Sequence, residues 1–233
     1  MMPRLASLLP PFLALPLAIA THLPAIAGGY TYDAGHWTCL DRDLHGVNWH
    51  GRDLRGQSLE RTDFSHANLV GADLRNAHLE CLNFTGADLS NADLRDANLT
   101  GVSFHDANLT GAKFDGTRMT GVDFTGTTIL TIGDTRALFS RCTGCDVSGV
   151  NLRGRDLSST HLVGVNFADA DLRNVNFSQA RLVGVDFQGA QFAGANFAGA
   201  KLVGCDMRKA DLRKTNFWSA DSTGLNLRDT QLP

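Results

Sequence analysis

The chain has 233 residues, of which 43% are hydrophobic, a length and composition that suit one or two folded domains. It carries 21 Lys+Arg against 24 Asp+Glu, a formal net charge of −3. This mildly acidic balance, with no basic patch evident in the sequence, argues against direct binding to nucleic acid.

The first 27 residues have the pattern of a secretory signal peptide. Arg4 precedes an apolar run over residues 5–20, and the small-residue sequence ending at Ala27 is a cleavage pattern. Cleavage after Ala27 is predicted, with cleavage after Ala20 as the second choice and an uncleaved membrane anchor as the alternative. Because the run is shorter than the about 20 residues that span a bilayer and contains prolines, we expect an exported chain, periplasmic or secreted, without stable membrane insertion.

A five-residue unit of the form A(D/N)LxG or A(D/N)Lxx fills most of the remaining sequence, and residues 86–101 read GADLSNADLRDANLTG. The central residue, usually Leu or Phe, recurs every five residues from Leu44 to Ile129 and from Val147 to Leu232. A period of five fits neither a helix nor a strand, and self-similarity of this kind indicates a solenoid. We divide the chain into the signal peptide 1–27, a first repeat block 28–129, a junction loop 130–146 and a second repeat block 147–233.

Phenylalanine recurs at a spacing of twenty within each block, which favours four units per turn and interior aromatic ladders. The ladder positions are Phe64, Phe84, Phe104, Phe124, Phe177, Phe197 and Phe217. The repeat resembles the pentapeptide-repeat family over residues 40–232. The resemblance implies an all-β fold, a right-handed quadrilateral parallel β-helix, here in two stacked blocks.

The junction breaks the period of five. Asp134 is placed to cap a helical turn over residues 135–139, and we interpret the segment as a junction or protruding loop, with a kink between the blocks as the stronger version. Cys142 and Cys145 have the CxxC spacing, for which a structural disulfide is favoured over a redox or metal site. Cys205 occupies a small inward position and is expected to be inert.

Two kinds of outward columns are candidate surfaces. Acidic and basic residues run side by side at a spacing of twenty, and their simplest interpretation is a solvated ladder of ion pairs. These pairs involve Asp53, Asp73 and Asp93 with Arg55, Arg75 and Arg95, and Asp171 and Asp211 with Arg173 and Arg213. An apolar column contains Val163, Val183 and Val203, which suggests either a partner surface or ordinary strand propensity.

Trp218 follows the last ladder phenylalanine at an outward position, which predicts either a homodimer through the C-terminal end or a lone exposed tryptophan. The histidines are scattered; His45 and His50 fall on adjacent faces, but solvated surface is favoured over a metal site. We predict no catalytic, cofactor-binding or metal-binding residues, since no catalytic motif is present.

We therefore expect a non-catalytic, exported bacterial scaffold that binds another macromolecule, a protein, through a flat face or an end of the solenoid. The resemblance also implies an alternative, because members of the family mimic duplex DNA and protect type II topoisomerases such as gyrase from inhibitors. The signal peptide and the compensating arginine columns count against that alternative. An enzyme is the least supported class.

Overall fold

The computed structural model describes residues 31–33, 36–38, 41–127 and 135–232. The proposed signal peptide, Cys39 and Asp134 lie outside these residues. The described elements are β1 (Thr31–Asp33), β2 (His36–Thr38), β3 (Arg42–Asp43), β4 (Ser58–Asp63), β5 (His78–Asn83), β6 (Asn98–Thr100), β7 (Arg118–Thr120), α1 (Thr135–Phe139), β8 (Cys142–Thr143), β9 (His161–Val163), β10 (Arg181–Val183), β11 (Lys201–Val203) and β12 (Asp221–Thr223). Among them, no helix has the length and hydrophobicity needed to cross a membrane.

The repeat units coil into a parallel β-solenoid, as predicted. Strands β3 to β12 form one ten-stranded sheet in sequence order, and residues twenty apart pair in register, for example Leu182 with Leu162 and Leu202. Single bridges join successive turns on the other sides, such as Asp123↔Asp146, Asn68↔Asp88 and Asp73↔Asp93. Four units therefore make one turn with four faces.

We number the faces in chain order. Face 1, the strand face, carries β6 to β12 and the first halves of β4 and β5. Faces 2, 3 and 4 contain the bridges of Asp123, Asn68 and Asp73, respectively.

The corners between faces need a left-handed backbone. Gly111 has a φ of +72°, and a Cβ at that residue would lie 2.6 Å from Asn91 Oδ1 on the turn below. Glycine takes this conformation without steric cost, and a larger residue there would displace the Asn91 side chain. Asn, Asp and several other residues take the same conformation at other corners, a strain that the pairing of successive turns overcomes.

The inward positions fill the interior completely. The small residue and the central residue of successive units, such as Ala92 and Leu94, are both fully buried. Phe64, Phe84, Phe104 and Phe124 stack on face 2 with ring centroids 5.3 to 5.4 Å apart. Phe177, Phe197 and the partly buried Phe217 stack on face 4 at 4.9 Å.

A further aromatic pair, Phe167 and Phe187, stacks on face 2 with centroids 5.6 Å apart. These two residues have the same spacing of twenty as the predicted ladder positions but were not among them. Val147 stands between this pair and Phe124, because its neighbour Asp146 bridges both Asp123 and Asn166. The aromatic ladder is therefore interrupted for one turn while the solenoid continues.

The segment expected to be a junction loop at residues 130–146 is partly core. The helical turn predicted over Thr135–Phe139 is present as α1, and Leu138 and Phe139 are buried rather than protruding. Phe139 packs on Phe167 at 5.6 Å. These apolar side chains replace the inward residues that regular units would supply.

The parallel sheet is continuous across the junction. Met119 on β7 pairs with Cys142 on β8, an offset of 23 residues instead of 20. The three additional residues are absorbed by the segment that contains α1, since Asp123 and Asp146 again form a bridge at the same offset. On the strand face, the two blocks form one stack.

Candidate interaction surfaces

Aspartate or asparagine one residue before the centre holds the outer backbone together on faces 2, 3 and 4. The side-chain oxygen accepts a hydrogen bond from the backbone N–H two residues later: Asp63 from Ser65 at 2.8 Å, Asn108 from Thr110 at 3.1 Å. Such caps compete with other local structure and fix the turn. The (D/N) of the repeat is therefore a structural element, a role that the sequence analysis did not assign.

The outward Asp–Arg columns form bidentate ion pairs within single units. Arg75 donates from Nε to Asp73 Oδ1 at 2.8 Å and from Nη2 to Oδ2 at 2.6 Å, and Arg75 Nε also lies 3.8 Å from Asp93 Oδ2 on the next turn. The same bidentate bonding is present at Asp53/Arg55, Asp93/Arg95, Asp171/Arg173 and Asp211/Arg213. The ion pairs predicted from the sequence are therefore present in the structure.

These bonds stabilise the ionised carboxylates. Hydrogen bonds from the neighbouring arginine lower the pKa of Asp53 and of Asp211 to about 2. The arginine side chain is likewise the largest cause of the lowered pKa of Asp73, Asp93 and Asp171. Much of the acidic surface is thus locally neutralised.

The valine column lies on the strand face. Val163, Val183 and Val203 pair in register on β9, β10 and β11 and are half-buried. The outward alanines of the second block do not extend this stripe, because Ala168 and Ala198 lie on faces 2 and 4. The apolar surface is one column wide.

Trp218 projects from face 4 of the last described turn and is 76% exposed. Its backbone is regular, since its N–H donates to Asn216 Oδ1 and its carbonyl accepts from Gly199. Leu227 and Leu232 in the same turn are also exposed. Leu227 and Leu232 are therefore exposed at positions where the preceding turn buries Met207 and Leu212, whereas Trp218 occupies an outward position.

The cysteines are held in the framework. Cys142 and Cys145 form a disulfide with Cα atoms 5.9 Å apart, and both are buried. Cys81 is also disulfide-bonded, which the sequence analysis did not anticipate. Cys205 is a free, buried thiol whose pKa is raised by burial, a setting that disfavours reactivity.

Two histidines on successive turns of face 2 interact locally. The His45 and His66 rings lie 5.3 Å apart, and His45 Nδ1 is 2.9 Å from Ser65 Oγ. Within the part of the chain that the structure describes, no group of three or more His, Cys, Asp or Glu is arranged to hold a metal ion. His45 and His50 are therefore not brought together with further ligands there.

The strand face also carries a column of basic residues that was not predicted from the sequence. Arg118, Arg141, His161, Arg181 and Lys201 succeed one another on the strand face, one residue before each centre, and all are exposed. The 23-residue step at the junction displaces Arg141 from the spacing of twenty, which conceals the column in the sequence. A local basic patch thus exists despite the acidic net charge.

The geometry defines a class of protein, a four-sided parallel β-solenoid with a filled interior and regular outward columns. The family description "Pentapeptide repeats" matches residues 43–76, 58–96 and 87–126, and "Pentapeptide repeat region" matches residues 135–217. The chain belongs to the pentapeptide-repeat family.

Solved structures of pentapeptide-repeat proteins are similar to the chain. HetL, involved in heterocyst differentiation regulation in the cyanobacterium Nostoc, is 29% identical over 82% of this chain and 83% of its own, with a TM-score of 0.34. Full-length QnrB1, a plasmid-mediated fluoroquinolone resistance protein, is 20% identical over 78% of this chain and 92% of its own, with a TM-score of 0.45. A protein of the Arabidopsis thaliana thylakoid lumen is 21% identical over 76% and 72%, with a TM-score of 0.17. Among curated proteins, none matches the chain.

Proposed function

We propose that this protein is a non-catalytic, exported scaffold that binds another protein through a flat face of the solenoid or through its end. The observation that supports this proposal is that the inward side chains pack the interior while the outward side chains remain available for contacts. The interior is packed with the chain's own Ala, Leu and Phe side chains, so ligand contacts fall to the outward columns. Those columns repeat at one rise per turn, and the columns of the strand face are held on a continuous sheet, which suits an extended protein contact.

Export is proposed from the signal-peptide pattern and is tested separately. Mass spectrometry of the protein from its native compartment should find Gly28, or Thr21 by the second cleavage choice, as the first residue. A full-length cytoplasmic product beginning near Met1 would contradict export.

Partner binding is tested by chemical cross-linking in the native compartment, followed by affinity recovery of the full chain and identification of the attached polypeptides. The scaffold proposal is supported by a partner that is recovered reproducibly and whose recovery falls when excess untagged protein is added. The proposal would be refuted if only the chain without any cross-linked polypeptide were recovered under conditions that cross-link a known complex of the same compartment.

The topoisomerase alternative makes an opposite prediction. A DNA mimic needs a continuous acidic field, whereas arginines pair with the acidic columns and the strand face carries basic residues. In a gyrase supercoiling assay, residues 28–233 should neither inhibit the enzyme nor relieve its inhibition by a fluoroquinolone. Protection in that assay would favour the alternative.

A further inference from the structure

The strand face carries a straight row of basic side chains, which we call the basic column: Arg118, Arg141, His161, Arg181 and Lys201. Strand pairing places Arg181 directly between His161 and Lys201, and the pairing of Met119 with Cys142 places Arg118 beside Arg141. Successive rungs lie about 4.8 Å apart, so the five rungs extend over about 19 Å.

The fold does not require this column. Like charges directly opposite each other destabilise a sheet. On faces 2, 3 and 4, the residue before the centre is the aspartate or asparagine that accepts a hydrogen bond from the backbone N–H two residues later. On the strand face, three-residue strands such as β9 and β10 instead pair along their whole length, so this position needs no such side chain. In the described residues, the only ion pair within the column's reach is that of Lys201 with Asp221, at 3.6 Å at the end of the row.

In the described structure, the acids around the corner form no ion pair with the row. Asp146, Asp186 and Asp206 lie around the corner on face 2, where each accepts a backbone hydrogen bond from the residue two positions later. Arg208 also pairs with Asp206. Arg141 reaches the Gly116 carbonyl oxygen at 3.3 Å, which leaves its charge uncompensated.

A second column runs parallel to the basic column two residues further along each strand. This β-branched column consists of Thr120, Thr143, Val163, Val183 and Val203. Residues two apart on the same side of a strand are separated by about 6.6 Å. The strand face therefore presents a basic stripe beside a partly aliphatic one.

We propose that these two columns form the docking site for an amphipathic helix of the partner protein, with an acidic stripe beside an aliphatic stripe. This inference rests on the proposed scaffold function. A helix that lies along the solenoid axis repeats every about 5.4 Å, within about 0.6 Å of the rise between turns. Acidic residues at i, i+4 and i+7 can thus follow the basic column, while neighbouring aliphatic residues contact the β-branched column.

Other occupants match the face less well. Same-side residues of an extended peptide recur every about 6.8 Å, which drifts from the rungs by about 2 Å per step. Single-stranded nucleic acid gains most from aromatic side chains on which bases stack. The exposed large apolar residues of the described chain are Trp218, Leu227 and Leu232, which lie outside the basic column.

The test uses residues 28–233 and a fluorescein-labelled helical peptide with glutamate at i, i+4 and i+7 and leucine beside them, followed by fluorescence anisotropy. A matched peptide replaces glutamate with glutamine, and a labelled oligothymidylate reports nucleic-acid binding. The double variant Arg141→Glu/Arg181→Glu reverses two rungs. The control Arg153→Glu/Lys214→Glu makes the same change in net charge at exposed positions away from the strand face.

The glutamate peptide should bind the wild type and the control variant equally, and the strand-face variant should bind at least about tenfold more weakly, since like charges oppose across an interface. The reversal places one glutamate beside Arg118 and the other beside Lys201, so it introduces attraction within the row, and the variant should keep the wild-type circular dichroism spectrum and unfolding midpoint. The inference would be overturned if all three proteins bound the glutamate peptide with equal affinity, or if the wild type bound the glutamine peptide as tightly as the glutamate peptide. It would also be overturned if the wild type bound oligothymidylate more tightly than the glutamate peptide and lost that binding in the strand-face variant.

Cross-linking in the native compartment separates this inference from the scaffold function. A native partner that is recovered with wild type and control but lost with Arg141→Glu/Arg181→Glu supports the site. A partner recovered equally with all three proteins overturns the site and leaves the scaffold function standing. Recovery of no partner even with wild type overturns the scaffold function itself.

Discussion

Truncation of Phe104 tests how the solenoid is stabilised. Its side chain is fully buried, and its ring stacks on Phe84 at 5.3 Å and on Phe124 at 5.4 Å, with Phe114 at 6.1 Å edge-on. Phe104→Ala should lower the free energy of unfolding by about 3 to 5 kcal/mol from lost burial and the cavity left behind. Two lost stacking contacts of about 0.5 to 1.5 kcal/mol each place the expected value in the upper half of that range.

The matched control is Thr110→Ala in the adjacent unit. Thr110 is exposed, and its backbone groups make the structural hydrogen bonds, with Asn108 Oδ1 and with the N–H of Asn91. The change should therefore cost under about 0.5 kcal/mol. Urea titrations of residues 28–233, read by circular dichroism, compare the midpoints at equal slope. Equal midpoints for the two variants would refute the assignment of inward and outward positions.

Three further predictions address the surface and the ends. Because the pKa of Asp211 is lowered from 3.8 to about 2, the carboxylate contributes stability above pH about 3.8 that is lost as the pH falls toward 2. Asp211→Asn should therefore lower the urea midpoint at pH 7 and reduce the change of that midpoint between pH 5 and 2. An unchanged pH dependence in the variant would contradict the ion pair. Replacing Cys142 and Cys145 by alanine should cost about 2 kcal/mol under oxidising conditions, the value for a short disulfide loop, whereas a wild-type midpoint in the variant would show that the crosslink is unimportant. If Trp218 anchors an end-to-end homodimer, size-exclusion chromatography with light scattering should give twice the monomer mass for residues 28–233 and the monomer mass for Trp218→Arg; a wild-type monomer at tens of micromolar, roughly the range of weak interfaces, would exclude it.

The period of the repeat predicted a solenoid and its inward positions, because only inward positions must be apolar and they recur every five residues, whereas the β-helix itself was implied by the family resemblance. Leu94 and Phe104 are buried for this reason, and the stacking of Phe104 on Phe124 follows from the spacing of twenty. The aromatic pair Phe167 and Phe187 obeyed the same rule. Its stacking therefore follows from the sequence as directly as that of the other ladder positions.

The junction could not be placed by periodicity, because its three additional residues break the register. Once α1 buries Leu138 and Phe139, the next residues can rejoin the sheet, and Cys142 takes the place of a central residue opposite Met119. A protruding loop would have left these apolar side chains in solvent. The burial of Phe139 against Phe167 is a tertiary contact that a local repeat cannot encode.

The surface was harder to predict than the core, because one sequence position performs different tasks on different faces. At Asp63 and Asn108, the residue before the centre caps the backbone, so its polarity serves folding. At His161 and Arg181, the equivalent position lies on a paired strand and makes no such cap in the described structure. Only the assignment of units to faces separates these cases.

This difference between faces bears on where recognition can reside in the solenoid. A column that must accept backbone hydrogen bonds is restricted to short polar side chains, and substitution there removes a cap as well as a surface group. On the strand face, hydrogen bonds between neighbouring strands fix the register, so outward side chains can change with little effect on folding. Arg118, Arg141 and Arg181 occupy this less constrained face despite their mutual repulsion. Their positions therefore reflect a contact outside the chain more than the stability of the solenoid, and the strand face is where variants should separate binding from folding.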